Sequence, residues 1–275
     1  MMCAATLLAL LLLLHAPLSV GQCNIRREVF GPNTTFALSD EPYIITNLTT
    51  SNKAPTAISP GQWSPVDTSM EATTLREKSS KDYLMRFHSD SLVSLTSSNS
   101  YSHGSCQMTL GQYITEHVES TSSTCITSSS GSICERSNQP TSSNETFYLF
   151  GNNYNGVFAE IESLYHIKGC PFCKKAGMPT FGIGGMGSGV NFHFHGPGFQ
   201  EVIHGSKRWF LVRPGVDPSS YNHHPNKTVS EWLREDYNDV IAARGDDDFI
   251  YDCVIGVNEA LYFPKNYMVS HTSQP

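Results

Sequence analysis

Residues 190 to 195 read Val-Asn-Phe-His-Phe-His, alternating aromatic and imidazole side chains. On an extended strand successive side chains point to opposite faces, so His193 and His195 share one face and Phe192 and Phe194 the other. Two imidazoles held this way on a rigid sheet can close on one metal ion. The same pair on a half-exposed strand can equally be two hydrogen-bonded histidines, because His-x-His is a short motif. The next twenty residues bear on that choice. Gly196-Pro197-Gly198 ends the strand, a second apolar run closes at His204-Gly205, and Ser206-Lys207-Arg208-Trp209-Phe210-Leu211 leads to Pro214.

Strands and a few helices have to position these residues. Tyr43-Ile44-Ile45 and Leu92-Val93-Ser94-Leu95 are strand candidates rich in branched side chains. Thr109 to Val118 predicts a short helix with Thr109 and Gln112 at capping-box spacing, and Thr228 and Glu231 repeat that spacing. Val229, Trp232, Leu233, Tyr237, Val240 and Ile241 then recur with helical period, which predicts a structural helix against the sheet. Phe249 to Val257 and Ala260 to Phe263 read as two strands around a turn at Asn258. Asp246-Asp247-Asp248 reads as a solvated turn, since three adjacent carboxylates cannot all face one ion. Residues 119–145, dominated by Ser and Thr, read as a flexible, glycosylated insertion, or as a loop pinned by Cys125 and Cys134. The expected organisation is a signal peptide over 1–21, an N-terminal part of the fold over 22–118, the insertion, and a core over 146–275.

The segments FGIGGMGSGVNFHFHGPG, EVIHGSKRWFLV, HHPNKT, WLREDY and LYFP together resemble the JmjC domain family. The resemblance covers roughly Phe147 to Pro264 well and the preceding region weakly. It implies a mainly β fold, the cupin-type double-stranded β-helix or jelly-roll barrel, with a few flanking helices. It implies an Fe(II)- and 2-oxoglutarate-dependent dioxygenase acting on a protein substrate or partner. His193 and His195 would hold the metal, and Lys207, from the family's GxK strand, the far carboxylate of 2-oxoglutarate. A lysine beside Arg208 can also be an ordinary surface residue.

Two features depart from the wider family. His195 stands where most members have Asp or Glu, which leaves more positive charge on a bound metal, and three imidazoles would suit Zn or Cu as well as Fe. The distal histidine of relatives falls five residues past the FP proline, a position held here by Val269. His271 lies two residues further, about 6–7 Å along a strand, too far for a bond of about 2 Å without a bulge. Val190 stands where some relatives carry a hydroxyl for the cosubstrate carboxylate. Since Val269-Ser270 can be encoded by an intron's opening bases, residues 269–275 read as intron read-through, with a truncated last strand and a fortuitous His271.

Bulk properties bound the rest. Of 275 residues 39% are hydrophobic and 16% charged, with formal net charge −7. That suits one globular domain, and the absence of a basic stripe argues against a nucleic-acid partner. Ala4 to Leu14 is an apolar run suited to a signal peptide with cleavage after Gly21, and no stretch approaches the roughly 20 apolar residues of a membrane span. Sequons at Asn33, Asn47, Asn144 and Asn226 agree with a secretory route, the endoplasmic reticulum lumen being what the resemblance implies. Cys23, Cys106, Cys125, Cys134, Cys170, Cys173 and Cys253 would remain after cleavage, an odd set whose pairing the sequence leaves open. Cys170-Pro171-Phe172-Cys173 matches a thiol-redox motif, but Pro179 and a glycine run leave little room for the helix that would activate it. Gly182 to Gly187 matches GxGxxG, yet an alternating strand comes next in place of a helix, so it predicts tight backbone turns and not a dinucleotide site. Three functional classes stand: an oxygenase, a non-catalytic cupin-like interaction module, and a thiol-redox protein.

Overall fold

The computed structural model describes residues 23–31, 38–48, 75–97, 105–119, 133–135, 147–150, 158–165, 180–243 and 249–274. The expected signal peptide, Asn33, Asn144, Cys125, the Cys170/Cys173 pair, the Asp246 turn and most of the Ser/Thr-rich segment lie outside them. The strands are β1 (Arg26–Val29), β2 (Tyr43–Thr46), β3 (Leu92–Ser97), β4 (Ser105–Thr109), β5 (Ile133–Glu135), β6 (Phe147–Tyr148), β7 (Gly189–Phe194), β8 (Gly198–Glu201), β9 (Ser206–Val212), β10 (Ile250–Gly256), β11 (Ala260–Phe263) and β12 (Met268–Gln274). Helices are α1 (Lys81–His88), α2 (Leu110–Tyr113), α3 (Ala159–Ser163), α4 (Val229–Glu235) and α5 (Tyr237–Ala243). These strands form three four-stranded sheets, ordered β1-β2-β11-β8, β10-β9-β12-β7 and β5-β4-β3-β6.

The first two sheets face each other as a double-stranded β-helix. Their shared core holds Ile44 and Leu261 from one sheet and Trp209, Leu211, Cys253, Ile255 and Val269 from the other. Strict alternation on β9 makes this possible: Lys207, Trp209 and Leu211 point into the barrel, while Arg208, Phe210 and Val212 point out. Phe210 and Val212 meet Phe192, Trp232 and Val240 in a second core under α4 and α5. Arg208 is buried there too, with Nε and Nη2 donating to the two Asp252 carboxylate oxygens at 2.9 and 2.6 Å. Tyr237 Oη donates to the same carboxylate at 2.5 Å, which ties α5 to the sheet. Chain neighbours Lys207 and Arg208 are thus both buried, on opposite sides of one sheet, and the surface-lysine alternative is overturned.

Both capping boxes form, with Thr109 and Gln112 opening α2 and Thr228 and Glu231 opening α4. Helix α2 continues as a π-helical turn over Ile114–Val118. The helix expected to run from Val229 through Ile241 is instead two, because the chain turns at Asp236, whose φ is −116°. Asn258, at φ 68°, makes the turn between β10 and β11, but those strands belong to different sheets, so the turn carries the chain across the barrel.

Codon content and the family's spacing lead to the expectation that residues 269–275 are a fortuitous extension of a truncated strand; strand pairing speaks to their place in the fold and not to their origin. In the structure β12 is an inner strand, hydrogen-bonded to β9 on one side and β7 on the other. Val269 and His271 face the barrel by the same alternation that directs Trp209 inward, a pairing that codons do not encode. Close approach is essential: a Cβ on Gly189 would lie 1.9 Å from the His271 carbonyl oxygen. Gly185 is similarly confined, its absent Cβ 2.4 Å from the His117 carbonyl, so the glycine run serves backbone packing.

Candidate functional site

His193 leaves β7 toward the barrel interior and is half-buried, while His195 stands exposed just past the strand's end. Their ring centroids are 5.9 Å apart. Each imidazole is oriented by a main-chain carbonyl: Nδ1 of His193 lies 2.8 Å from the Asn191 oxygen and Nδ1 of His195 lies 2.9 Å from the Gly196 oxygen. A carbonyl only accepts, so both Nδ1 atoms carry a proton, and in the neutral imidazole it is Nε2 that keeps the lone pair. This is the outer-shell arrangement that orients a metal-binding histidine. Burial, followed by the nearby His195 and Lys207, holds the His193 pKa below its ordinary value.

A register shift lies between the two histidines' strand and β12. Val269 pairs with His193, but His271 pairs with Val190, so Asn191 and Phe192 together oppose Ser270. The Phe192 amide turns to the Asn191 side-chain oxygen at 2.7 Å, and the Asn191 amide donates to the His224 and Lys227 carbonyls. The ring of Phe192 sits edge-on to Trp232 with centroids 5.0 Å apart. Asn191 and Phe192 thus both leave the barrel, and the bulge aims the His-x-His pair at the mouth.

Deeper in the barrel His271 faces Trp209, its register partner, with ring centroids 4.7 Å apart. Lys207 Nζ lies 5.0 Å from the Trp209 ring centroid and donates to Tyr148 Oη at 3.3 Å. No carboxylate among the described residues pairs with it, and burial lowers its pKa to about 7. Burial, then the charge of Lys207, drives the His271 pKa well below its ordinary value. Tyr148 closes the group, its ring 5.8 Å from that of His271, and burial pushes its phenol pKa up.

This donor set matches a first-row divalent metal in part. His193 and His195 each have Nδ1 on a main-chain carbonyl, which leaves Nε2 as the nitrogen for a metal. The register position across from His193 belongs to Val269, which has no donor, and His271 is two residues deeper. Among the described residues no three His, Cys, Asp or Glu side chains converge closely enough to hold a metal ion. The expected residues therefore divide into a histidine pair at the mouth and a Lys207–His271 group inside. Trp209 was legible from its alternation with Lys207. Tyr148, 59 residues from Lys207 in the chain, carried no such signal. Of the sequon residues, Asn47 and Asn226 are exposed.

Two facing sheets with this histidine pair at the strand ends define a cupin-type double-stranded β-helix. No protein-family model matches the chain. It is 35% identical over 192 residues to JmjC domain-containing protein 8 of Mus musculus, covering 68% of this chain and 61% of that protein. With the protein of the same name from Homo sapiens it shares 35% over 191 residues, covering 68% and 62%. The chain belongs to the JmjC-domain family, and the match spans about three fifths of these relatives' own length.

Proposed function

We propose that this is a secretory-pathway JmjC protein of the oxygenase type, which takes Fe(II) on His193 and His195 and the far carboxylate of 2-oxoglutarate on Lys207. The observation that carries the reading is Lys207 itself: a buried amine with no carboxylate among the described residues, facing the same interior as the histidine pair. A buried cation without a counter-charge is costly, and an anionic ligand supplies one. Iron held there with 2-oxoglutarate supplies O₂ activation for hydroxylating a C–H bond, with succinate and CO₂ as co-products. This chain's part is to fix both imidazole tautomers through carbonyls and to orient the 2-oxo acid through Lys207. The exposed mouth, with Phe194 standing 74% exposed beside it, suits a protein substrate better than an enclosed small molecule.

The test is anaerobic titration of Fe(II) and 2-oxoglutarate into the purified chain beside a His193→Ala/His195→Ala variant. Coupled binding, lost in the variant, is the expected result; equal binding by both proteins would sink the reading. A second reading, a non-catalytic interaction module, is favoured by Val269 occupying the place across from His193. Binding without succinate formation would select it. The secretory location is supported by the Cys23–Cys253 disulfide, the disulfide at Cys106, and exposed Asn47 and Asn226. Endoglycosidase-sensitive mass shifts, lost in Asn47→Gln and Asn226→Gln, are expected.

A further inference from the structure

Two buried ring nitrogens of the barrel interior lack a hydrogen-bond partner among the described residues, and a buried amine beside them has only a phenol. Trp209 Nε1 and His271 Nδ1 are sealed from solvent, and neither has a hydrogen-bond partner among the described residues. They do not bond to each other, although their rings are 4.7 Å apart. Lys207 Nζ, 5.0 Å from the same indole, reaches only Tyr148 Oη, a group that can itself donate. An indole N–H can only donate, and a buried donor left alone forfeits a full hydrogen bond. One such orphan is common enough in folded proteins. An orphaned indole N–H and imidazole nitrogen beside an amine whose one partner is a phenol mark a place that suits an acceptor; in the tautomer with the proton on Nδ1, His271 donates there as well.

We infer that His271 and Trp209 are carboxylate-binding residues, forming with Lys207 and Tyr148 the inner end of the ligand pocket, and that His271 is not a metal ligand. The inference rests on the reading of this barrel as a 2-oxo-acid site and assigns new roles to groups within it. A carboxylate has two oxygens and about four acceptor sites. That is enough for the amine, the indole N–H, the imidazole N–H and the phenol together. The strand geometry agrees: His271 pairs with Trp209 and Ser273 with Lys207, so β12 and β9 present the group from adjacent positions, while Val269 takes the rung nearest His193. Separating the histidines into a metal pair and an inner anion-binding imidazole also accounts for the lack of a three-donor cluster among the described residues.

The experiment uses the full chain and its Trp209→Phe, His271→Asn and His193→Ala/His195→Ala variants, with thermal unfolding to confirm that each is folded. Trp209→Phe keeps an aromatic ring at this position and removes the N–H together with part of the indole. Two readouts are taken: calorimetric titration with 2-oxoglutarate, and visible absorbance of added cobalt(II) as a probe of the histidine pair. Expected are carboxylate affinities about tenfold weaker or more in Trp209→Phe and in His271→Asn, the loss of a hydrogen bond to a charged group. Cobalt(II) uptake is expected to stay intact in both and to disappear in His193→Ala/His195→Ala. Loss of cobalt(II) uptake in His271→Asn would make His271 a metal ligand and overturn the inference while leaving the proposed function standing. Unchanged carboxylate affinity in both single variants would overturn it as well. No carboxylate binding by the parent chain would remove the proposed function, and the inference with it.

Discussion

At the scale of single residues the chemistry is governed by burial. Lys207 and Arg208 are neighbours in the chain and nearly equal in exposure, yet Arg208 has the Asp252 carboxylate and Lys207 has a phenol. Burial brings the Lys207 pKa from 10.5 to about 7, so the unfolded chain keeps a proton up to about pH 10.5 that the folded one releases above about pH 7. The unfolded state binds more protons across that window, so this group's contribution to stability is least below about pH 7 and improves as pH rises toward 10.5. Lys207→Met removes the penalty. Urea unfolding should show the variant more stable than the parent at about pH 6, with the gap narrowing by about pH 9.5. A gap between variant and parent that is the same at both values would mean that the Lys207 amine has a counter-charge. The same variant should lose 2-oxoglutarate binding, which separates stability from function in one side chain.

At the scale of elements the site depends on how β12 meets β7. The shift that sets Asn191 and Phe192 against Ser270 sends both side chains out of the barrel and leaves His193 facing in. Gly189 permits the approach, and any side chain there meets the His271 carbonyl. Gly189→Ala is expected to cost about 1–3 kcal/mol in urea unfolding and to disturb ligand binding through displacement of His271. The α4 cap offers a cleaner case. Thr228 is buried, and its hydroxyl accepts from the Glu231 amide at 3.2 Å, so Thr228→Ala should cost about 1 kcal/mol. That substitution also removes the Asn226 sequon, and Asn226→Gln, which removes the sequon alone, is the reference. Equal stability of the two variants would mean that the cap contributes nothing.

At the scale of the molecule, contacts distant in sequence hold the barrel to what surrounds it. Cys23 and Cys253 are joined across 230 residues, fastening the chain that leads into β1 to the middle of β10. Replacing both with serine should lower stability by about 2–5 kcal/mol, and reductant should lower the parent's melting temperature by more than the variant's, which keeps the disulfide at Cys106. At the end of β8, Glu201 bonds with Tyr165, and desolvation raises its pKa from 4.5 to about 7. Nearby, His204 Nε2 lies 3.0 Å from the Arg76 carbonyl and 3.1 Å from Ser79 Oγ, joining the β8–β9 turn to the start of the helical region. A carboxyl raised in this way stabilises the fold fully below about pH 4.5, and that contribution is lost as pH rises through about 7. Glu201→Gln should therefore flatten the fall in stability between about pH 5 and pH 8, measured by urea unfolding.

Much of this protein was legible in its sequence because the signals are local. Alternation placed His193 and His195 on one face, side-chain spacing marked both capping boxes, branched runs marked β2 and β3, and the two runs around Asn258 marked β10 and β11. The motifs also pointed to the JmjC family, and the paired sheets agree with the fold it implied. Local signals cannot say which strands become neighbours, and the site was settled there. Residues 268–274 are polar and unpromising as a core strand, yet two flanking strands satisfy their backbone groups and turn His271 inward. Tyr148 reaches Lys207 only because distant segments meet in space. Only the tertiary structure separated the two histidines at the mouth from the one inside, because strand register, which long-range pairing sets, decides how far apart side chains on one face lie.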